Sequence, residues 1–563
     1  MIASGFLLTS LVALAFCKPA TRNLKLHEAL EGPPAGYSLT GSADPNQTLK
    51  LRLSVTQSNI PELERKLYDV STPSSHNYGK HLSKSEVQQL VAPAQDSVDA
   101  VNDWLKENGI TAMPTSATGD AFSFEVPVSK ANELFGADFS VFKHDDTGVE
   151  AVRTLSYSIP AELQGHLDFV HPTVTFPDPV GRLPFFRTPD QTTPSVQNSN
   201  NPPVPYACLS RITPACLQAI YNIPVTPATQ LSNHLAVAGF IRQYANQDDL
   251  QTFLHDYRPD ISVNTTFILR TLDGGSNPQN ASQAGAEANL DTQYTVGVAT
   301  GVPTEFISVG GKYIGSWLDL ADLLLSQDHP PSVLTTSYSF NEPGLSPKVA
   351  QNLCNKYAQL GARGVSLLFS SGDGGVSGAQ RKNCTTFIPT FPSTCPFITS
   401  VGASQGFPET AAALSAGGFS NVFGTPDYQS SAVRRYVAAL GGANQGLYNV
   451  SGRAYPDVAA QGIRYRAVIA GREHLLDGTS ASTPVFASIV ALLNDRLVAK
   501  GKAPLGFLNP LLYSDAGQAA LNDVVDGSNP GCGTSGFLAR QGWDPVTGLG
   551  TPDFTKLARA VGV

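Results

Sequence analysis

The chain is 563 residues long, 41% hydrophobic and 15% charged, with a net charge of −9. So low a charged share beside that apolar content argues against a disordered chain, and the length calls for two or more folding units. The acidic balance and the lack of a basic stripe argue against a nucleic-acid partner.

Residues 1–17 carry an apolar run, Phe6 to Leu8 and Leu11 to Phe16, which Lys18-Pro19 ends. A bilayer span takes about 20 apolar residues, so the run reads as a signal peptide cut after Cys17, although no Lys or Arg precedes it. No later segment is long and apolar enough to cross a membrane. Cys208, Cys216, Cys354, Cys384, Cys395 and Cys532 remain, an even set that suits three disulfides in an oxidising compartment. Sequons begin at Asn46, Asn264, Asn280, Asn383 and Asn449 and gain meaning from export. The chain is therefore expected to be secreted to the extracellular space.

From 47 to 176 the chain reads as a cysteine-free α+β unit. Strands are expected over 48–56, 121–126 and 138–143, and helices over 61–70 and 97–108. Residues 177–205 are rich in Pro, Thr, Asn and Ser, too polar to bury a core, and read as a linker open to cleavage. Beyond 206, buried strands are expected over 235–241, 306–309, 332–336 and 365–369. Helices are expected over 248–257, 284–298, 317–325 and 347–360. Strand–helix alternation predicts an α/β fold with a doubly wound, mainly parallel sheet.

Three segments carry chemistry. Asp477-Gly478-Thr479-Ser480-Ala481-Ser482-Thr483-Pro484 precedes an apolar helix over 485–498, placing Ser480 at a turn into a helix with Pro484 suited to its first turn. No histidine beyond the linker (His234, His255, His329, His474) has the context of a serine base. Glu287 and Asp291 stand at i and i+4 in Gly285-Ala286-Glu287-Ala288-Asn289-Leu290-Asp291, on one helical face. Buried together, two carboxylates share a proton, and such a Glu can take a serine proton and return it to a leaving amine. Asp373, in Ser370-Ser371-Gly372-Asp373-Gly374-Gly375, follows an apolar strand, where α/β sheets place their chemistry. Protonated, it could donate to an oxyanion.

In this order and at these separations the three segments resemble the sedolisin, or serine-carboxyl, peptidases, and the likeness covers nearly the whole chain. The resemblance implies a subtilisin-like catalytic domain over 206–563, with Ser480 as nucleophile, Glu287 as general base, Asp291 as its carboxylate partner and Asp373 as the oxyanion acid. Asp477 departs from the family pattern, where a second Gly or Ser often stands. Tyr78 to Ser83, followed by Glu86-Val87, resembles the family's kumamolisin-type activation prodomain, which implies an α+β, ferredoxin-like unit over 18–176 that acts as intramolecular inhibitor.

Asp523-Val524-Val525-Asp526-Gly527 and the run Gly542-Trp543-Asp544 to Pro552 resemble the family's calcium site. By position this implies one structural Ca2+ held by the side chains of Asp523 and Asp544 and the carbonyls of Val524, Arg540 and Gly542, oxygen donors of the kind calcium takes. Arg540 stands where relatives often have a small residue. A Cys384–Cys532 pair resembles a family pairing and Cys208–Cys216 closes a short loop, leaving Cys354 with Cys395; six cysteines allow fifteen connectivities. The expectation is a monomeric acid-acting zymogen of a peptidase that releases tripeptides from free N-termini of peptides or proteins. Its rivals are an endopeptidase of the same family, a His-based subtilisin and a catalytically inactive secreted binding protein.

Overall fold

The computed structural model describes residues 23–34, 36–145, 147–176, 185–187, 204–311, 313–380 and 383–563. The signal segment and most of the expected linker lie outside the described residues.

The first unit is built on four antiparallel strands, Thr48–Val55, Met113–Pro114, Ala121–Pro127 and Leu167–His171. The first strand lies between the third and fourth, with the second at the edge beside the third. Helices Ile60–Ser71, Lys84–Val91 and Gln95–Glu107 separate the first two strands, and Val128–Phe135 follows the third. That is the βαββαβ order of a ferredoxin-like unit. One sheet face is sealed by helical Val101, Trp104 and Phe135 against strand residues Leu51, Leu53 and Phe124. Helix Lys84–Val91 has no counterpart among the expected elements. Its start is a capping box, in which Ser83 accepts from the Glu86 N–H while Glu86 accepts from that of Ser83. The strand expected over 138–143 is Ser140–His144, paired with Tyr37–Ser42 and Glu150–Arg153 in a separate small sheet.

The second unit carries seven parallel strands, β1 (Leu235–Gly239), β2 (Ile268–Leu272), β3 (Thr304–Val309), β4 (Val333–Thr336), β5 (Ser366–Ser370), β6 (Thr399–Gln405) and β7 (Val458–Gln461). They lie in the order 2-3-1-4-5-6-7, the sheet of a subtilisin-like α/β domain. Along β1, Leu235 and Val237 enter one core and Ala236 and Ala238 the other, as a strand buried on both faces must divide. Helices α1 (Gln247–Tyr257), α2 (Ala286–Val298) and α5 (Thr479–Ala499) cover the first face, and α3 (Ile314–Ser326) with α4 (Pro347–Ala362) covers the second. Helix α4 begins where the Ser346 side chain accepts from the Val349 N–H and Pro347 fills its first turn, a position that tolerates a missing N–H.

The units dock through helix Ile60–Ser71, whose buried Leu63 and Leu67 join Ala350 and Leu353 of α4 in one core. Charge surrounds this contact. Arg52 reaches Asp319 at 2.8 Å and Asp322 at 2.6 Å, and Lys356 lies between Asp322 at 2.7 Å and Asp120 at 3.2 Å. Disulfides join Cys208 to Cys216, Cys354 to Cys395 and Cys384 to Cys532. Within the expected linker, Phe185–Arg187 is a strand, antiparallel to Arg472–Asp477. Backbone pairing thus holds Phe185–Arg187 to the second unit.

Candidate active site

Helix α2 is buried over all of Ala286–Val298, packed against α5 in the core. Its Glu287 and Asp291 are therefore not a solvated face: they are 0% and 1% exposed. The Glu287 N–H at the head of the helix donates to Gln243 Oε1 at 3.0 Å, and Asn289 donates to Asp249 at 2.8 Å. Burial, then the neighbouring Asp291, pushes the Glu287 carboxyl well above the usual carboxylate range; the Ser480 hydroxyl opposes this. Burial likewise raises Asp291, opposed by the Ser337 hydroxyl. Two raised carboxyls on one helical face hold a proton between them.

Ser480 is the second residue of α5, which begins at Thr479, ahead of the expected 485. Pro484 accordingly lies inside the helix and not in its first turn. Proline lacks the N–H that would bond the carbonyl four residues back, here that of Ser480. The Ser337 hydroxyl lies 3.3 Å from that carbonyl and donates to Asp291 Oδ1 at 2.7 Å, while Ser480 Oγ donates to the Ser337 carbonyl at 3.4 Å. Ser337, just beyond β4, thus joins the acid helix to the serine helix. No motif marks it in the sequence; only its place after an apolar strand hints at a role. Gln243, which holds the head of α2, is equally unmarked.

Asp373 follows β5 at the carboxyl end of the sheet. Its Oδ1 accepts from the Thr479 N–H at 2.7 Å and from the Thr479 hydroxyl at 2.8 Å. That hydroxyl in turn accepts from the Gly372 N–H at 3.2 Å. A Cβ on Gly478 would sit 3.1 Å from Asp373 Oδ2, so glycine lets the acid lie close against the Ser480 turn. Asp477, the departure from the family pattern, accepts from the Arg464 N–H at 2.7 Å and so anchors the preceding loop. His255 pairs with Asp256, and His474 packs edge-on against Phe186.

The two acidic loops near the C-terminus also come together. Asp523 Oδ2 accepts from the Gly542 N–H at 2.8 Å, and Asp544 Oδ2 from the Arg540 N–H at 3.0 Å. Asp544 is 0% exposed, and among the described residues no ion pair reaches it. A buried carboxylate without a cation, beside a second carboxylate and glycine-rich backbone, fits a hard cation with oxygen ligands. The Arg540 side chain turns away to the Ala439 carbonyl.

Comparison with known proteins gives the family. Residues 35–176 match the model described as "Pro-kumamolisin, activation domain", and 233–503 match "Subtilase family". The chain is 36% identical to Tripeptidyl-peptidase SED2 of Arthroderma otae over 98% of both chains. It is 36% identical to Probable tripeptidyl-peptidase SED4 of Trichophyton verrucosum over 99% of this chain and 98% of that one. Among solved structures, Pseudomonas sedolisin, a serine-carboxyl proteinase, superposes with a TM-score of 0.51 at 20% identity, over 62% of this chain and 98% of that one, a likeness of fold. Full-length similarity of this degree, with an activation domain ahead of a subtilisin-like sheet, places the chain in the sedolisin family of serine peptidases.

Proposed function

We propose that the chain is the zymogen of a secreted, acid-acting serine-carboxyl peptidase that releases tripeptides from free N-termini. The observation that carries this reading is the buried chain of contacts from Asp291 through Ser337 to Ser480, with Glu287 and Asp373 beside it. The full-length likeness to tripeptidyl-peptidases supports the exopeptidase assignment.

Ser480 Oγ attacks the scissile carbonyl while its proton passes to Glu287, which is steadied by Asp291. The carbonyl oxygen gains the charge and is met by the proton on Asp373. Glu287 then gives its proton to the departing amine as the C–N bond breaks, leaving an acyl-enzyme on Ser480. Water repeats the sequence and frees the tripeptide. Both steps need protons that neutral solution removes: Asp373 must be the acid, and the Glu287–Asp291 pair must share one. A segment within 177–205 is cut on maturation, after a signal peptide ending at Cys17 has been removed.

One structural calcium would be held by Asp523, Asp544 and the carbonyls of Val524, Arg540 and Gly542, binding the C-terminal loops to the core. The test of the function is product mass analysis at acid pH, using peptides with free and with acetylated N-termini. Tripeptides from the free set alone are expected; internal cuts in both sets would make the enzyme an endopeptidase.

A further inference from the structure

A cavity of about 400 Å3 lies where the activation domain meets the peptidase domain. The peptidase side supplies Asp273, Tyr313, Ser316 and Asp319, and the activation side supplies Arg52 and His171. Asp273 follows β2, and Asp319 lies on the outer turns of α3. Partial burial and the nearby Asp319 raise the Asp273 carboxyl to about 6. The Arg52 guanidinium donates to Asp319 at 2.8 Å and approaches the Gly315 carbonyl at 3.4 Å. His171 is 6% exposed, and its Nδ1 has no partner although the ring lines this cavity. A cation that leaves with the activation domain therefore sits on Asp319, the carboxylate beside Asp273, and both carboxylates stay.

Asp273 follows β2, the outermost strand of the sheet that carries the catalytic groups. Gly310 and Gly311 follow β3, and a Cβ on Gly311 would stand 1.5 Å from Ser316 Oγ and 3.7 Å from Asp273 Oδ2. Trp317, next to Ser316, stacks on Phe240 at 4.7 Å, and the Tyr338 hydroxyl donates to the Phe240 carbonyl at 3.5 Å. Tyr338 directly follows Ser337. Strand spacing sets the reach: β3 is two steps from β4 and β2 is three, or roughly 10 and 14 Å at about 4.8 Å per step. An extended tripeptide spans about 10 Å at roughly 3.4 Å per residue.

We propose that Asp273 and Asp319 receive the α-ammonium group of the substrate's first residue, and that Arg52 occupies this seat in the zymogen. The proposal rests on the tripeptidyl reading and names the group that counts three residues. In acid every peptide N-terminus is an ammonium, the charge that a pair of carboxyl groups is suited to receive. A longer chain extending past the third residue would bring a neutral amide to the pair and leave the charge unmet.

The matured enzyme tests this with three peptides alike except at the first residue, carrying a free amine, an acetylated amine, or hydrogen in place of the amine. The free amine should exceed the des-amino peptide in kcat/KM by about 100-fold, and Asp273→Asn with Asp319→Asn should bring that ratio near unity. If Asp319→Asn impairs maturation, through its bond to Arg52, Asp273→Asn alone should cut the ratio by about 10-fold. A ratio unchanged by these variants overturns the ammonium seat and leaves the tripeptidyl reading standing. Equal cleavage of acetylated and free peptides by the unsubstituted enzyme overturns the tripeptidyl reading and the seat with it.

Discussion

Replacing Lys356 by Met should loosen the activation domain from the peptidase domain without touching the catalytic groups. The ammonium is 1% exposed, 3.2 Å from Asp120 of the activation domain and 2.7 Å from Asp322 of α3. Burial pushes the Asp120 carboxyl up, but Lys356 and the Ser116 and Thr118 hydroxyls more than offset it and hold it below the usual range. Removing one partner of a buried pair costs about 3–5 kcal/mol, because the other charge stays buried and unmet. Asp322 would keep Arg52 at 2.6 Å, so only Asp120 is stranded and the low end, about 3 kcal/mol, applies. That is roughly 150-fold in the opening equilibrium. Amide hydrogen exchange reads this opening in Ser480→Ala protein, which is expected to stay uncut. Amides of Ile60–Ser71 and of α4 should exchange faster by about that factor. Adding Asp120→Asn should restore much of the protection, because the stranded charge is gone. Exchange unchanged by Lys356→Met would refute the claim that this pair holds the domains together.

Ser480→Ala should lower turnover by about 10⁴-fold or more and leave the precursor uncut, as read by intact mass; normal cleavage by that protein would remove Ser480 from the mechanism. Activity should peak in acid and fade towards neutral, and a kcat/KM maximum near pH 8 would contradict the shared-proton mechanism. Stability of the matured enzyme should follow the same sign. Glu287 and Asp291 are raised above their ordinary 4.5 and 3.8, so the folded state binds protons the unfolded state gives up. Their contribution is whole below about pH 4 and is lost as pH rises through the raised values, at up to about 1.4 kcal/mol per unit and group. Melting scans of Glu287→Gln with Asp291→Asn should therefore show a flatter pH dependence than the parent. Chelation should lower the melting temperature of the matured enzyme, because calcium adds about 2.7 kcal/mol at a hundredfold excess over Kd. An unchanged scan in a verified metal-free sample, with Asp544→Ala equally stable, would reduce these loops to ordinary turns.

Strands and helices were largely legible because their burial leaves a period. The β1 segment is apolar throughout, and the helix expected over 347–360 is α4. Boundaries moved where capping or tertiary support extends an element, as at Thr479, where α5 starts six residues before the expected helix. Ser480 was legible from glycine, small residues and proline at an apolar helix, though Pro484 does its work deeper in that helix than expected. Glu287, Asp291 and Asp373 were individually ordinary and acquired meaning only as an ordered set. Ser337 and Gln243 were not legible, since a serine after a strand and a glutamine in a loop carry no pattern until the fold brings them to Asp291 and to the head of α2.

From the sequence alone came those features that repeat along the chain or crowd into short segments: two folding units, a parallel sheet, an even set of six cysteines and the order of the candidate catalytic residues. The tertiary structure decided everything that depends on what faces what. An i, i+4 carboxylate pair is a solvated face on most helices, and it becomes an acid pair here because α2 is buried on every side by α5 and its neighbours. Lys356, Arg52 and Asp319 carry no motif in the sequence. The meeting of two domains, distant in sequence, brings Asp120 to Lys356 and Arg52 to Asp319 and Asp322. Burial raises both the strength of such a contact and the cost of leaving it unmade.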